Sequence, residues 1–158
     1  MAITIRHAEP ADYPPIIAVV DGWWGGRRMA DMLPKLFFVH FRPTSFVAEE
    51  GGRVIGFLAG FRSQTHADQA YIHFVGVDPS ARKAGVARAL YERFFAAARA
   101  LGCTEVLGVT SPANRTSLAF HAAMGFECLP GDAVSGGVPY VADYDGRGEP
   151  RVRLHRRI

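Results

Sequence analysis

The residues best suited to chemistry lie in one stretch, where an apolar strand runs through a short loop into a helix. Tyr71–Val77 is rich in β-branched and aromatic residues, and Asp78-Pro79 ends the strand. The helical pattern begins near Gly85, so the backbone amides of residues 82–88 open a helix. Amides at a helix start have no partner within the helix and favour an anion such as phosphate. We interpret this loop as an anion-binding cradle.

A second motif gives this loop a more specific meaning. The loop contains Arg82-x-x-Gly85-x-Ala87, which is weak alone because a structural turn explains a glycine at a helix start equally well. About 30 residues later, the size of one strand-helix-strand unit, the chain continues as Asn114-x-x-Ser117-x-x-Phe120-His121-x-x-Met124-Gly125-Phe126. Together they resemble the GNAT superfamily of acetyl-coenzyme A-dependent N-acetyltransferases. The first is similar to its Gln/Arg-x-x-Gly-x-Gly/Ala pyrophosphate loop and the second to its Asn…Phe-Tyr-x-x-x-Gly-Phe segment.

The resemblance implies both a fold and an activity. The fold would be α/β (α+β), with a mixed, mostly antiparallel sheet of six or seven strands, helices on both faces, and a splay between strands 4 and 5. The activity would be direct transfer of an acetyl group from acetyl-coenzyme A to a primary amine of a small molecule or peptide. The alternative is an acyl-coenzyme A-binding or sensing domain without efficient turnover.

The cofactor-binding residues are expected on the first motif and at the start of the second. By carry-over from the family, the main chain of Val75 would bind the thioester carbonyl and that of Val77 the pantetheine amides. The amides of residues 82–88 would hold the pyrophosphate, with small residues at Gly85 and Ala87 so that the backbone can approach. The expected set is Val75, Val77, Arg82, Lys83, Ala84, Gly85, Val86, Ala87, Arg88, Asn114 and Ser117.

A second interpretation stays open for the polar members of that set. The side chains of Arg82, Lys83 and Arg88 either add charge near the phosphates or are solvated surface. Asn114 either contacts the cofactor near its pantetheine arm or caps a helix N-terminus, and both can hold together.

The candidate catalytic residues are His121, His73 and Tyr71. Many family members carry tyrosine at the position of His121, as the acid that protonates the departing thiolate. A histidine, with an ordinary pKa of about 6.5, could also donate a proton, or it could simply pack the helix. Tyr71 aligns with a glutamate of some relatives and would shape the acceptor pocket. His73, two residues on and on the same face, is our candidate base, with a half-buried strand histidine as the alternative.

Hydrophobic periodicity predicts the elements that must position these residues. The predicted helices cover residues 12–20, 29–41, 85–101 and 111–124, and Pro34 should kink or split the second. The stripe that should face the sheet is Val86, Leu90, Phe94, Ala97 and Leu101. The predicted strands cover residues 2–7, 45–49, 53–61, 70–77, 105–110, 126–129 and 151–157, with a hairpin at Glu50-Gly-Gly and a long Gly-rich loop before the last strand.

The acceptor side is expected in the parts left once the cofactor is placed, namely residues 21–41, the end of the second hairpin and the loop over residues 130–150. Trp23 and Trp24 either wall a pocket or pack the first helices. Asp21 and Asp31 either attract an ammonium group or are solvated. No acceptor can be named from these residues.

Length and composition exclude several classes of protein. The 158 residues, 49% hydrophobic and 21% charged, predict a single domain over residues 1–158. No apolar run has the length of a secretory signal or a membrane span, so a cytoplasmic protein without membrane partners is the default. The net charge of +3 comes without a basic face interleaved with aromatics, so no nucleic acid is expected. Cys103 and Cys128 lack metal-ligand spacing, so no metal is expected, while an edge-strand tail makes a homodimer plausible.

Overall fold

The computed structural model describes residues 2–158, apart from the side chain of Lys83. The chain divides into two compact units, Met1–Cys103 and Thr104–Ile158. The single-domain prediction over residues 1–158 stays a prediction.

The helices and strands follow the predicted order. The helices are α1 (Tyr13–Ile17), α2 (Val20–Trp23), α3 (Val86–Ala100) and α4 (Arg115–Ala123). The strands are β1 (Thr4–His7), β2 (Phe46–Glu50), β3 (Arg53–Arg62), β4 (Gln69–Val77), β5 (Glu105–Thr110), β6 (Glu127–Cys128), β7 (Ala133–Ser135), β8 (Val138–Tyr140) and β9 (Val152–Arg157). Short 3-10 helices occupy Pro10–Asp12, Ala30–Met32, Lys35–Phe38, Arg42–Thr44 and Pro79–Ala84.

The first unit is built on four antiparallel strands that pair in chain order, β1 to β4. The predicted hairpin between β2 and β3 is confirmed, and its two central glycines have φ of 58° and 78°. Helices cover both faces of these strands. A Cβ placed on Gly60 would meet Phe94 of α3, whereas one placed on Gly76 would meet Trp24, which follows α2.

Helix α3 packs a wider stripe than periodicity predicted. Its buried residues are Val86, Leu90, Tyr91, Phe94, Phe95 and Ala98. Two predicted members are wrong, because Ala97 is only half-buried at the edge of the stripe and Leu101, beyond the last helical residue, is 38% exposed. Tyr91 and Phe95 directly follow Leu90 and Phe94. Because large rings bury more surface than alanine, the buried face of α3 is rotated toward these two residues.

The predicted α-helix over residues 29–41 is wrong, whereas the predicted split at Pro34 is confirmed. The segment instead contains two short 3-10 helices with Pro34 between them in an extended conformation, at φ −67° and ψ 141°. Proline lacks the amide that a helix needs and disfavours helical geometry in the residue before it, here Leu33 at ψ 83°. The first predicted helix is likewise shorter, since α1 ends at Ile17 and α2 begins at Val20.

The second unit has three antiparallel strands in the order β5-β9-β6, and the β7-β8 hairpin lies within the predicted long loop. Helix α4 precedes β6 and is followed by Gly125 at φ 86°, as a C-terminal glycine requires. The mixed, mostly antiparallel α/β architecture with seven main strands is thus confirmed within residues 2–158. The predicted splay between the fourth and fifth strands stays a prediction.

A substitution at Gly60 tests how closely α3 approaches β3. A Cβ there would lie 2.5 Å from Phe94 Cε1 and 2.9 Å from the Tyr71 carbonyl oxygen, which is backbone and cannot move away cheaply. We expect Gly60→Ala to lower the free energy of unfolding by about 1–3 kcal/mol, the usual effect of overpacking, as measured by urea denaturation. Gly22→Ala in α2 is the matched control, because its Cβ would meet nothing within 4 Å. Equal denaturation midpoints for the two variants would contradict this packing.

Candidate active site

The predicted cradle begins at Asp78, which anchors the turn after β4. Asp78 Oδ1 accepts hydrogen bonds from the Ser80 amide at 2.9 Å and from Ser80 Oγ at 2.8 Å. Arg53 Nη1 donates to Asp78 Oδ2 at 2.9 Å. The Ser80 amide, with the Ser80 hydroxyl and Arg53, lowers the pKa of Asp78 below its ordinary value. The turn is therefore held by a carboxylate that stays ionised at neutral pH.

Gly85 joins the 3-10 helix Pro79–Ala84 to α3. It has φ 73° in the left-handed region, where a Cβ is strained, and a Cβ there would meet nothing within 4 Å. The first helical bond runs from the Ala89 amide to the Gly85 carbonyl at 3.0 Å. The amides of Val86, Ala87 and Arg88 come before this first donor, so none of them has an acceptor within α3. An open surface above three helix-opening amides fits a phosphate group.

The side chains of this loop add less to the cradle than its amides do. Arg82 Nη2 donates to the Trp23 carbonyl at 2.6 Å, and Arg82 Nε donates to the Val77 carbonyl at 3.4 Å. Arg82 therefore ties the loop to the end of α2 and to β4, a role that the sequence did not indicate. Arg88 is exposed beside Glu92 at 3.9 Å, which favours the solvated alternative. The side chain of Lys83 lies outside the described residues.

Strand β4 carries a β-bulge at His73. One step along β3, from Ala59 to Gly60, spans two steps along β4, from Phe74 to Ile72, so His73 is the extra residue. Further along, Val75 pairs with Leu58 and Val77 with Gly56. Periodicity could not reveal the bulge, which turns His73 and Phe74 toward the same cluster of aromatic rings.

His73 is held in a defined orientation. Its ring stacks on Phe37 at 4.8 Å with an interplanar angle of 7°, and its Nε2 lies 2.6 Å from the Met32 carbonyl oxygen. A carbonyl only accepts hydrogen bonds, so Nε2 carries the proton and Nδ1 is the basic atom of the neutral ring. Tyr71, two residues earlier in β4, stacks on Phe61 at 5.2 Å. The arrangement allows His73 to take up a proton at Nδ1 alone.

In the second unit, Asn114 caps α4. Its Oδ1 accepts a hydrogen bond from the Ser117 amide at 3.1 Å, which confirms the capping interpretation. One turn on, His121 Nδ1 donates to the Ser117 carbonyl at 2.8 Å, and Ser117 Oγ lies 3.2 Å from the same nitrogen. The His121 ring meets Phe126 edge-on at 5.1 Å.

These contacts work against His121 as an acid. Burial lowers the pKa of His121 below its ordinary value of 6.5, although the Ser117 carbonyl acts in the opposite direction. The ring is therefore mostly neutral at pH 7, and the one proton it holds then is on Nδ1, bound to a carbonyl. The packed-helix alternative accounts for its surroundings, and its acid role stays a prediction.

The acidic candidates on the acceptor side have structural partners. Asp21 Oδ1 accepts from the amides of Met29 and Ala30, both at 2.7 Å, and so clamps the Gly-rich segment between them. Asp31 makes an exposed pair with Arg28 at 3.4 Å. Trp23 is buried and stacks on Phe57, as the scaffold alternative requires.

The first unit thus brings together Tyr71, His73, Val75, Val77 and the cradle, whereas Asn114, Ser117 and His121 belong to the second unit. Over residues 2–158, no three His, Cys, Asp or Glu side chains are grouped to hold a metal ion. In the same part of the chain, no helix has the length and hydropathy of a membrane span.

Comparisons with known proteins point to one family. The model of the acetyltransferase (GNAT) family matches residues 6–126. The L-2,4-diaminobutyric acid acetyltransferase of Nocardia farcinica is 32% identical over 84 residues, which cover 53% of this chain and 44% of that protein. The chain spans about half the length of the curated relatives that it matches.

Solved structures share the fold at low sequence identity. Ard1 from Thermoplasma volcanium has a TM-score of 0.80 at 20% identity, over 100% of this chain and 99% of that one. The yncA protein of Salmonella typhimurium, solved with its cofactor acetyl-CoA, has a TM-score of 0.69 at 21% identity, over 99% of this chain and 94% of that one. The predicted fold class is therefore confirmed.

The burial of His121 should appear in the pH dependence of stability. Because its pKa is lowered in the folded state, the unfolded chain binds the proton first as pH falls below 6.5, and the free energy of unfolding decreases. His121→Phe removes this contribution. We expect its free energy of unfolding to fall less than that of the wild type between about pH 7 and about pH 5. A comparison of the two proteins at alkaline pH, where the histidine is neutral, measures the effect of the changed packing alone. A His121 imidazole that titrates above 6.5 by NMR would contradict the assignment.

Proposed function

Because the chain belongs to the acetyltransferase (GNAT) family, we propose that it transfers an acetyl group from acetyl-coenzyme A to a primary amine of a small molecule or peptide. One observation carries the proposal: Gly85 in the left-handed conformation opens α3 beneath an unobstructed surface. Two adjacent phosphates need several convergent donors, and helix-opening amides supply them without side chains.

Acetyl-coenzyme A supplies the acetyl thioester, and the chain supplies groups that hold it. The amides of Val86, Ala87 and Arg88 are assigned to the pyrophosphate, with Ala84 and Gly85 exposed beside them. The main chain of Val75 and Val77 is assigned to the thioester and pantetheine, as the family resemblance implies. Asn114 and Ser117, which belong to the second unit, are assigned to the cofactor only as the family resemblance implies, and since Asn114 Oδ1 caps α4, its Nδ2 group is the part so assigned.

His73 is proposed as the base. An ammonium group has no lone pair, so it must lose a proton before the amine nitrogen can attack the thioester carbonyl. The Met32 carbonyl fixes the proton of His73 on Nε2, which supports Nδ1 as the acceptor of the ammonium proton. Stacking on Phe37 holds the ring in place for this transfer. Tyr71 lies along the same strand and is proposed to shape the amine pocket.

The alternative is a domain that binds acyl-coenzyme A without efficient turnover. The specific observation in its favour is His121, which stands where many relatives carry tyrosine and whose pKa burial lowers. A screen of amines by release of free thiol, alongside calorimetric titration with acetyl-coenzyme A, separates the two functions. Tight binding without turnover of any amine would favour the sensing domain.

The cradle is tested by Gly85→Glu. The substitution places bulk and negative charge where the pyrophosphate is proposed to lie, and like charges in contact cost several kcal/mol. We expect the Kd for acetyl-coenzyme A to rise by roughly 100-fold or more, as measured by calorimetry.

Gly102→Glu is the matched control for this experiment. Gly102 follows the other end of α3, has φ 89°, and also has nothing within 4 Å of a Cβ. It therefore shares the backbone strain and the added charge without the cradle, and its Kd should stay near that of the wild type. Equal affinities for the two variants would remove the cradle from the proposal.

The base is tested by His73→Gln. Glutamine can still donate to the Met32 carbonyl but accepts no proton, so kcat should fall by about 100-fold or more. The loss should shrink at alkaline pH, where more of the amine is already neutral. The Kd for acetyl-coenzyme A should not change. Thiol release from neutral to alkaline pH measures this profile, and wild-type kcat at neutral pH would rule out His73 as the base.

A further inference from the structure

We infer that the first unit carries a surface of aromatic rings that binds the amine acceptor, and that this acceptor is a primary amine on an aromatic or other apolar body, without a second ammonium group. We call this surface the aromatic wall; its members are Trp24, Phe74, His73, Phe41, Phe61 and Tyr71. The inference rests on the proposed function and adds the class of substrate.

The rings of the wall form two contacting groups, Trp24–Phe74–His73 and Phe41–Phe61–Tyr71, and the buried ring of Phe37 joins them. Trp24 lies 5.1 Å from Phe74, between ring centroids, and Phe74 lies 6.5 Å from His73. Phe37 then connects His73 at 4.8 Å to Phe41 at 5.2 Å. The row continues from Phe41 to Phe61 at 5.6 Å and from Phe61 to Tyr71 at 5.2 Å.

The rings of the wall are partly exposed to solvent, whereas the rings that support them are buried. Each of its six members is half-buried, whereas the rings behind them, Phe37 and Phe57, are buried. Half-exposed rings provide apolar area that gains free energy when a ligand covers it. Covering such a row requires an apolar ligand of similar extent.

The β-bulge places the proposed base, His73, in the middle of the aromatic wall. His73 and Phe74 are consecutive residues that both contact the aromatic cluster, which regular alternation along a strand would not allow. The proposed base is thereby flanked by rings on both sides. At the Trp24 end, a Cβ on Gly76 would lie 3.0 Å from Trp24 Cη2, so glycine lets the indole lie against β4 between Val75 and Val77.

The charges near the wall do not suit a second ammonium group. Residues 21–41 and 53–77 contain three acids. Asp21 accepts two backbone amides, Asp31 pairs with Arg28, and Asp68 lies in the exposed β3-β4 turn, outside the row of ring contacts. Meanwhile Arg82 bonds the carbonyl of Trp23, beside Trp24.

These features separate two kinds of amine. An aromatic amine covers the rings with its body and presents one nitrogen to His73. A diamine or a diamino acid must also desolvate a second ammonium group against rings with no carboxylate in the row, and cation–π attraction offsets this only in part. The wall therefore selects against substrates such as the diaminobutyric acid for which the curated relatives are named.

The experiment is a thiol-release assay with acetyl-coenzyme A and five amines. These are 2-phenylethylamine, tryptamine, isoamylamine, putrescine and 2,4-diaminobutyric acid. We expect kcat/KM for the first three to exceed that for the last two by about tenfold or more, the discrimination that apolar contacts in a pocket provide. A preference for putrescine or diaminobutyric acid overturns the inference while leaving the proposed function intact.

Absence of turnover with every amine contradicts the proposed function, and the wall is then judged by binding alone. Titration of the protein with 2-phenylethylamine and with putrescine, followed by tryptophan fluorescence in the presence of coenzyme A, gives the two affinities. Tighter binding of 2-phenylethylamine supports the wall. Equal or weaker binding overturns it.

A charge added to the wall should change this preference. Phe41→Glu supplies the missing carboxylate and should raise the kcat/KM ratio of putrescine to 2-phenylethylamine by about tenfold. Val39→Glu is the matched control, because Val39 is 42% exposed two residues away and outside the row. It adds the same charge and should leave the ratio unchanged. Circular dichroism and Tm establish that both variants fold, and an unchanged ratio in folded Phe41→Glu counts against the wall.

Discussion

The first amides of α3 cannot be satisfied inside their own helix, and the first unit is arranged around that constraint. Gly85 takes a left-handed conformation where the chain passes from a 3-10 helix into α3. Asp78 anchors the start of the loop with Ser80 and Arg53, and Arg82 anchors its middle to Trp23 and Val77. The loop is thus held at its start and at its middle by ionised groups, ahead of the amides that are proposed to bind an anion.

Backbone carbonyls determine what the two candidate histidines can do. The Met32 carbonyl fixes the His73 proton on Nε2, and the Ser117 carbonyl fixes the His121 proton on Nδ1. The two rings therefore carry their protons on opposite nitrogens. Burial in addition keeps His121 mostly neutral at pH 7, because a buried imidazole loses more by charging than a solvated one. Of the two, His73 has the surroundings of a base and His121 those of a packed residue.

Family membership and specificity have separate physical origins in this chain. The cradle and the strand before it are main-chain features, which many sequences can form and which explain the shared fold at 20% identity. The aromatic wall is a side-chain feature, carried by β3, β4 and the segments around Trp24 and Phe41. A shared fold therefore does not transfer the acceptor of one relative to another.

The sequence by itself determined the elements whose signals are local. The hairpin at Glu50-Gly-Gly, the cap at Asn114 and the order of strands and helices from β2 to β6 all follow from residue type and spacing. Only the tertiary structure decided the bulge at His73, the Arg82 bond to Trp23 and the Asp21 clamp. The physical reason is that glycine, proline and capping residues act within a few bonds. A bulge, a carbonyl partner or a row of rings depends instead on which distant segments pack together, and no local pattern records that.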